Sequence, residues 1–250
     1  MTQELEALLR SGVRPRALRD LVSARPLSIL VAAPHPDDFD AIALSLRHLH
    51  GQGHQLQVAV LTSGASGVDD GFGGADGEAA KAALREAEQR ESCAFFGLAP
   101  QRLHFLSLWA AGADEAADAA RLQAWMARHR ADIVFMPHGN DSNATHRRTY
   151  ATVCAAAAGL GWNDSWACLN QDAKTLEMRV DLFLDYDQPE AEWKAALLRH
   201  HRSQQARNLR TRGSGFDQRV LQVNRQAAEA LGTPRPYAEV FQLMRLGAGQ

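Results

Sequence analysis

An apolar run, Ile29-Leu30-Val31-Ala32-Ala33, stops at Pro34-His35-Pro36-Asp37-Asp38 and dictates how the chain around it has to fold. A short apolar segment bounded by proline reads as a parallel strand buried on both faces. The polar residues then occupy its carboxyl end, just ahead of a helical pattern over residues 39–50. In open α/β sheets that edge is where ligands bind. One imidazole and two carboxylates are costly to bury there unless they serve a metal or a reaction. The bland alternative is a helix N-cap, because Asp at a strand-to-helix turn is common on that ground alone.

The same alternation continues along the chain. Strand patterns cover residues 55–62, 102–106 and 133–137, and helical patterns cover 78–96, 114–130 and 147–159. This predicts a Rossmann-like, doubly wound, mostly parallel sheet with helices on both faces. Beyond it, residues 175–186 alternate as a strand outside the parallel core. Residues 189–207 and 216–231 read as helices, and 237–246 as a last strand, giving an antiparallel C-terminal extension. Residues 1–26 form an N-terminal extension in which Leu5, Leu8 and Leu9 share one helical face. No composition break divides the 250 residues, so one domain spanning 1–250 is expected. The glycine-rich, acidic stretch 63–77 is either a plain connection or a substrate loop.

A formal net charge of -2 argues against nucleic acid or an acidic membrane surface as partner. No apolar run approaches the length of a membrane span, and no secretory signal is visible. Cys93, Cys154 and Cys168 are odd in number and lack metal-type spacing, so they read as free thiols in a reducing cytoplasm.

The strand over residues 133–137 runs into His138-Gly-Asn-Asp-Ser-Asn-Ala-Thr-His146, a second polar cluster at a second strand end. His35, Asp38 and His146 can then converge. Two imidazoles and a carboxylate suit zinc, or ferrous iron as a facial triad, and three protein ligands leave a position open for water. Asp37 is the spare carboxylate beside them and a natural general base. Metal-assisted hydrolysis of an amide or ester follows.

At these residues the chain resembles the PIG-L/LmbE-like family of metal-dependent N-acetylglucosaminyl deacetylases, whose hallmark is a strand followed by HPDD. Leu61-Thr62-Ser63-Gly64, Arg85-Glu86-Ala87-Glu88, Phe96-Gly97, Lys194, His201-Arg202-Ser203-Gln204 and Tyr237-Ala238-Glu239-Val240-Phe241 extend the likeness over most of residues 28–243. The resemblance implies His35, Asp38 and His146 as metal ligands and Asp37 as general base. Two departures stand out. Phe39 replaces the usual Glu after HPDD, and Asn143 stands where the family's His-x-Asp-His motif begins with a histidine. Asn143 can donate a hydrogen bond but cannot relay a proton. His138, His201 or a proton returned by Asp37 can take that role, each of the two histidines with a purely structural role as its alternative. Arg85 is either a substrate contact or half of a surface ion bridge with Glu88. Asp141 is either the acceptor that orients His146 or a turn residue.

The expected protein is a zinc-dependent deacetylase, with ferrous iron as the other candidate metal. It removes an acetyl or other acyl group from an amide nitrogen of an amino sugar or sugar conjugate. Asp37, His138 and Asn143 carry the catalytic roles, and Arg85 and His201 contact substrate. The partner is a small acylated amine, and a homo-oligomer is compatible with the sequence. The rivals are a hydrolase of a non-sugar N-acyl or ester substrate, and a non-catalytic binding protein that retains the fold.

Overall fold

A computed structural model describes residues 5–6 and 14–247. Its frame is one eight-stranded sheet in the order β1-β7-β8-β6-β5-β2-β3-β4. The strands are β1 (Arg16–Ala17), β2 (Ser28–Ala33), β3 (Gln55–Val60), β4 (Leu103–Phe105), β5 (Ile133–Pro137), β6 (Trp166–Asn170), β7 (Leu182–Tyr186) and β8 (Tyr237–Arg245). The block β6-β5-β2-β3-β4 is wholly parallel, while β8 runs antiparallel to both β6 and β7. The mostly parallel sheet and its antiparallel C-terminal addition are as the sequence predicts.

Strand β2 shows why the sheet is covered on both sides. Ile29, Val31 and Ala33 join one apolar core, and Leu30 and Ala32 join a second one on the opposite face. From Ile29 to Ala33 every residue is buried, as the unbroken apolar run requires. On the first face lie α1 (Asp38–Ala41), α2 (Ala43–Gly51), α3 (Gly77–Phe96) and α6 (Gln188–Leu198). On the second lie α4 (Glu115–Arg128), anchored by Leu122, Trp125 and Met126, and α5 (Ala144–Gly159), anchored by Val153, Ala156 and Ala157. Two further helices, α7 (Arg202–Arg212) and α8 (Phe216–Leu231), close the C-terminal side. Among the described residues, no helix is long and apolar enough to cross a membrane.

The chain winds from β2 outward through β3 and β4, then returns to place β5 on the other side of β2. The carboxyl ends of β2 and β5 are therefore neighbours at a topological switch point, where ligands of such sheets bind. Both polar clusters sit on those ends.

Several boundaries differ from expectation. The helix expected over 39–50 breaks at Ile42, whose φ of -120° is not helical. The amides of Leu44 and Ser45, left without helical partners, donate to the Glu239 carboxylate at 3.1 and 2.7 Å. Lys194 Nζ then ties Glu239 and the Ala41 carbonyl together, each at 2.6 Å. The helix expected over 189–207 is two helices, because the Glu88 carboxylate accepts from both the backbone N–H and the hydroxyl of Ser203 at 2.7 Å and starts α7 there. Residues 166–170, outside every strand expected from the sequence, are the buried strand β6, and the strand expected over 175–186 is only its last part, β7. Of the N-terminal leucines, Leu5 is buried, and Leu8 and Leu9 lie outside the described residues.

Candidate active site

The turn after β2 is held in an unusual shape. Asp37 has φ 115°, a conformation that L-residues rarely adopt. Its N–H donates to Gln89 Oε1 at 2.8 Å, and its Oδ2 accepts from Arg85 Nη2 at 2.8 Å. Arg85 Nη2 also binds the Pro36 carbonyl. The guanidinium lies against Gly64, where φ is +63° and an added Cβ would stand 3.0 Å from Pro36 Cδ and 3.2 Å from Arg85 Nε. Two residues of α3 thus hold the strained turn from outside. Arg85 and Glu88 are not a surface pair: both are buried, 3.6 Å apart, with Arg85 committed to the turn and Glu88 to α7.

His35, Asp38 and His146 converge as expected. The His35 N–H donates to Asp38 Oδ2 at 2.8 Å, and the same oxygen lies 3.1 Å from His35 Nδ1. His146 enters from the first turn of α5 with Nε2 3.6 Å from Asp38 Oδ1. One donor atom from each of the three residues lies within 4.8 Å of the others. His146 Nε2 is buried and has no hydrogen-bond partner, a cost that a coordinated cation would remove. Its Nδ1 faces Asp141 Oδ2 at 3.2 Å, which directs Nε2 toward Asp38. The donor set therefore fits a divalent cation. Asp141 serves both of its expected roles, since its other oxygen accepts from the Asn143 N–H at 2.6 Å in a turn.

Burial disfavours a charged His146, but Asp38, Asp141 and Asp172 outweigh it and raise its pKa above the usual 6.5. Burial likewise works to raise the Asp38 pKa, yet the charge of His146 and the hydrogen bonds and charge of His35 hold it well below 3.8. Asp172 is the exception among these carboxylates: burial raises its pKa, with the charges of Asp141 and Asp38 adding to the effect against that of His146.

These residues open into a cavity of about 330 Å³. Asp37, Asp38, Arg85, Asn143 and Asp172 line it, as do Gly64, Ser66 and Gly67 of the 63–77 stretch, which therefore contributes to the site. Asn143 is the N-cap of α5: its Oδ1 accepts from the Thr145 N–H at 2.9 Å, leaving Nδ2 to donate.

The two compensating histidines are not brought in. His138 lies outside the lining, with Nε2 3.2 Å from Gln242 Oε1 and Nδ1 accepting from the Asn140 N–H at 3.0 Å. His201 is fully buried behind the turn, with Nε2 2.8 Å from Asp40 Oδ2, so it touches no ligand space. Asp172, in the cavity lining with Oδ2 3.6 Å from His146 Nδ1, is not among the residues singled out from the sequence. It follows the carboxyl end of β6, and the apolar run Trp166-Ala167-Cys168-Leu169 was the signal that could have marked that strand.

Fold and site together define a Rossmann-like domain in which two histidines and a carboxylate are grouped as a cation could be held, with a further carboxylate, Asp37, at the same turn. The chain belongs to the PIG-L family: the family model described as GlcNAc-PI de-N-acetylase matches residues 30–157, just over half of the sequence. No curated protein sequence matches it. Among solved structures it is similar to the N,N'-diacetylchitobiose deacetylase of Pyrococcus horikoshii, at 18% identity and TM-score 0.72 over 97% of this chain and 92% of that one. The 4-carboxy-2-hydroxymuconate hydratase GalB of Pseudomonas putida matches at 19% identity and TM-score 0.66, covering 90% and 99% of the two chains. The zinc-inhibited form of teicoplanin deacetylase Orf2 matches at 14% identity and TM-score 0.64, covering 88% and 99%.

Proposed function

We propose that the protein is a metal-dependent amide deacylase that removes an acetyl or similar acyl group from the nitrogen of an amino sugar or sugar conjugate. The observation that carries this is the unpartnered His146 Nε2 facing Asp38, with Asp37 beside it in one cavity. His35, Asp38 and His146 would hold the cation, and this donor set suits zinc or ferrous iron. Such a cation supplies Lewis acidity toward a substrate carbonyl and lowers the pKa of water.

The chain's own groups supply the rest. Arg85 holds Asp37 through Oδ2, which leaves Oδ1 to take the proton of the attacking water. Asn143 Nδ2 is placed to donate to the oxygen that gains charge as the carbonyl becomes tetrahedral. With His138 turned to Gln242 and Asn143 unable to carry a proton, Asp37 is also the residue to return it to the leaving nitrogen. One carboxylate would then act first as base and then as acid.

The family assignment supports deacetylation over the hydration carried out by GalB, whose similar fold shows that architecture alone does not select the reaction. Three free cysteines fit a reducing, cytoplasmic setting. The test is to load the protein with Zn²⁺ or Fe²⁺, supply N-acetylglucosamine conjugates and measure released amine and acetate. Turnover that Asp37→Asn abolishes while metal content is unchanged is expected. Full turnover by that variant would sink the mechanism.

A further inference from the structure

Strand β6 ends on a residue that its surroundings do not account for. Trp166, Ala167, Cys168 and Leu169 are apolar and buried, and Asn170 follows them, also buried. Alternation puts it on the sheet face of Trp166 and Cys168, the face that carries α1. Its ladder partners are Pro137 on β5 and Phe241 on β8, whose side chains offer no hydrogen bond. The Asn170 carboxamide has no hydrogen-bond partner among the described residues. Asparagine is a poor strand former, and a buried amide without a partner costs stability.

The carboxamide adjoins a separate, small cavity at the carboxyl ends of β2 and β5. This space measures about 10 Å³, and Asn170 lines it together with Asp38. The other lining side chains are apolar, Pro34 and Pro137 among them. Among the described residues of this lining, Asn170 is therefore the one with a side-chain N–H. A space of about this size takes one water, provided the water finds at least two polar partners. The Asn170 carboxamide and the Asp38 carboxylate are two.

Asp38 lines the large cavity as well, so its carboxylate stands between the two spaces. Its hydrogen-bond and ion-pair contacts among the described residues all go to His35 and His146, which belong to the same candidate ligand set. The His35 N–H is the one backbone donor, at 2.8 Å on Oδ2. A carboxylate held by a single such bond can still turn about its Cβ–Cγ bond, while a second bond from another direction fixes its plane. Asp141 gives His146 support of this kind from behind.

On the reading that His35, Asp38 and His146 hold the cation, on which this step rests, we propose that Asn170 is the positioning residue for Asp38. One water in the small cavity accepts from Asn170 Nδ2 and donates to the Asp38 carboxylate, which fixes the plane that the cation meets. An amide on this apolar face then costs stability in the metal-free protein, and its benefit appears when a cation binds.

The test reads Zn²⁺ affinity, by competition against a chromophoric chelator, and the melting temperature of the metal-free protein. Both are measured for the parent and for Asn170→Val, Asn170→Ser and Asn170→Ala. Valine removes the amide and takes up the space of the water. It is expected to weaken Zn²⁺ binding by about tenfold, with little change in the metal-free melting temperature, because an apolar group in place of a poorly satisfied buried amide costs little. Serine and alanine leave similar extra space and differ by one hydroxyl. Tighter Zn²⁺ binding by the serine variant than by the alanine variant is expected, and it isolates the donor even where the valine variant fails to fold. A crystal structure of the parent is expected to show a water within hydrogen-bonding distance of Asn170 Nδ2 and Asp38. Equal Zn²⁺ affinity in the serine and alanine variants, or parent-like affinity in the valine variant, would overturn the role of Asn170 and leave the cation site standing. A parent that binds no Zn²⁺ would remove the cation reading, and the role of Asn170 with it.

Discussion

His201 Nε2 lies 2.8 Å from Asp40 Oδ2, and neither side chain reaches solvent. Gln89 Nε2 donates to the same Asp40 oxygen at 3.0 Å, while Gln89 Oε1 accepts from the Asp37 N–H at 2.8 Å. The pair stands outside the cavity yet supports, through one amide, the residue proposed as base. Gln89→Met should lower kcat by roughly 10- to 100-fold, because a displacement of about 1 Å at a reacting group is enough for that. His201→Ala should cost about 1–3 kcal/mol by removing a partner of a buried carboxylate. Rate per folded molecule, measured beside the melting temperature, checks both. A Gln89→Met protein that melts earlier but turns over normally would reduce the relay to a packing feature.

Lys194 and Glu239 make the other buried pair, and they bridge the break between α1 and α2. Their charges face each other at 2.6 Å with both side chains buried. Burial works against a charged Lys194 and lowers its pKa, while Glu239 and then Asp40 oppose the shift. Lys194→Met leaves the carboxylate uncompensated and should destabilise by about 3–5 kcal/mol. Glu239→Gln keeps an acceptor for the Leu44 and Ser45 amides and should cost less. Urea denaturation midpoints of the two variants give the comparison.

Asp141 orients His146, so Asp141→Asn should weaken metal affinity by about 10- to 100-fold while the fold persists. His138, turned away to Gln242, should be replaceable by Ala without change in affinity. Competition against a chromophoric chelator separates the two. A His138→Ala protein that loses metal would place His138 in the cation site, a role that neither its position after β5 nor its contact with Gln242 indicates.

Asp132 carries a pH signature at the opposite edge of the sheet. Burial works to raise its pKa, but the hydrogen bond from Arg25, the Ser28 N–H at 2.8 Å and the Arg25 charge lower it from 3.8. A carboxylate whose pKa is lowered on folding contributes stability above its unfolded pKa and loses it as pH falls through the folded value. Asp132→Asn should therefore melt earlier than the parent at pH 7, and the difference should close as pH drops below 3.8. Thermal melts at several pH values supply the check, and a gap that persists in acid would assign the effect to packing.

Much of this was legible in local pattern. The run from Ile29 to Ala33 marks a strand covered on both faces, because no residue in it tolerates water. Two polar clusters, each directly after such a strand, already place His35, Asp38 and His146 on one edge, and the structure brings them within 4.8 Å. The N-caps were not marked by that pattern: Asn143 and Asp114 cap their helices in the structure, whereas periodicity alone began those helices at 147 and 114.

The alternation of strands and helices, and which residues stand at the strand ends, follow from the primary structure, since both depend on neighbours along the chain. Contacts across long separations were decided by tertiary structure alone. His201 and Asp40 are 161 residues apart, and Ser203 and Glu88 are 115 apart. Nothing local to His201 says that it turns inward to a carboxylate instead of out to a ligand, and nothing local to Ser203 says that a distant glutamate starts a new helix there. Arg199 and Arg219 are the same residue type on neighbouring C-terminal helices, yet one is paired with Asp217 and the other faces the cavity. That difference arises from where the folded chain puts the carboxylates, because a buried or half-buried charge is governed by the groups packed around it.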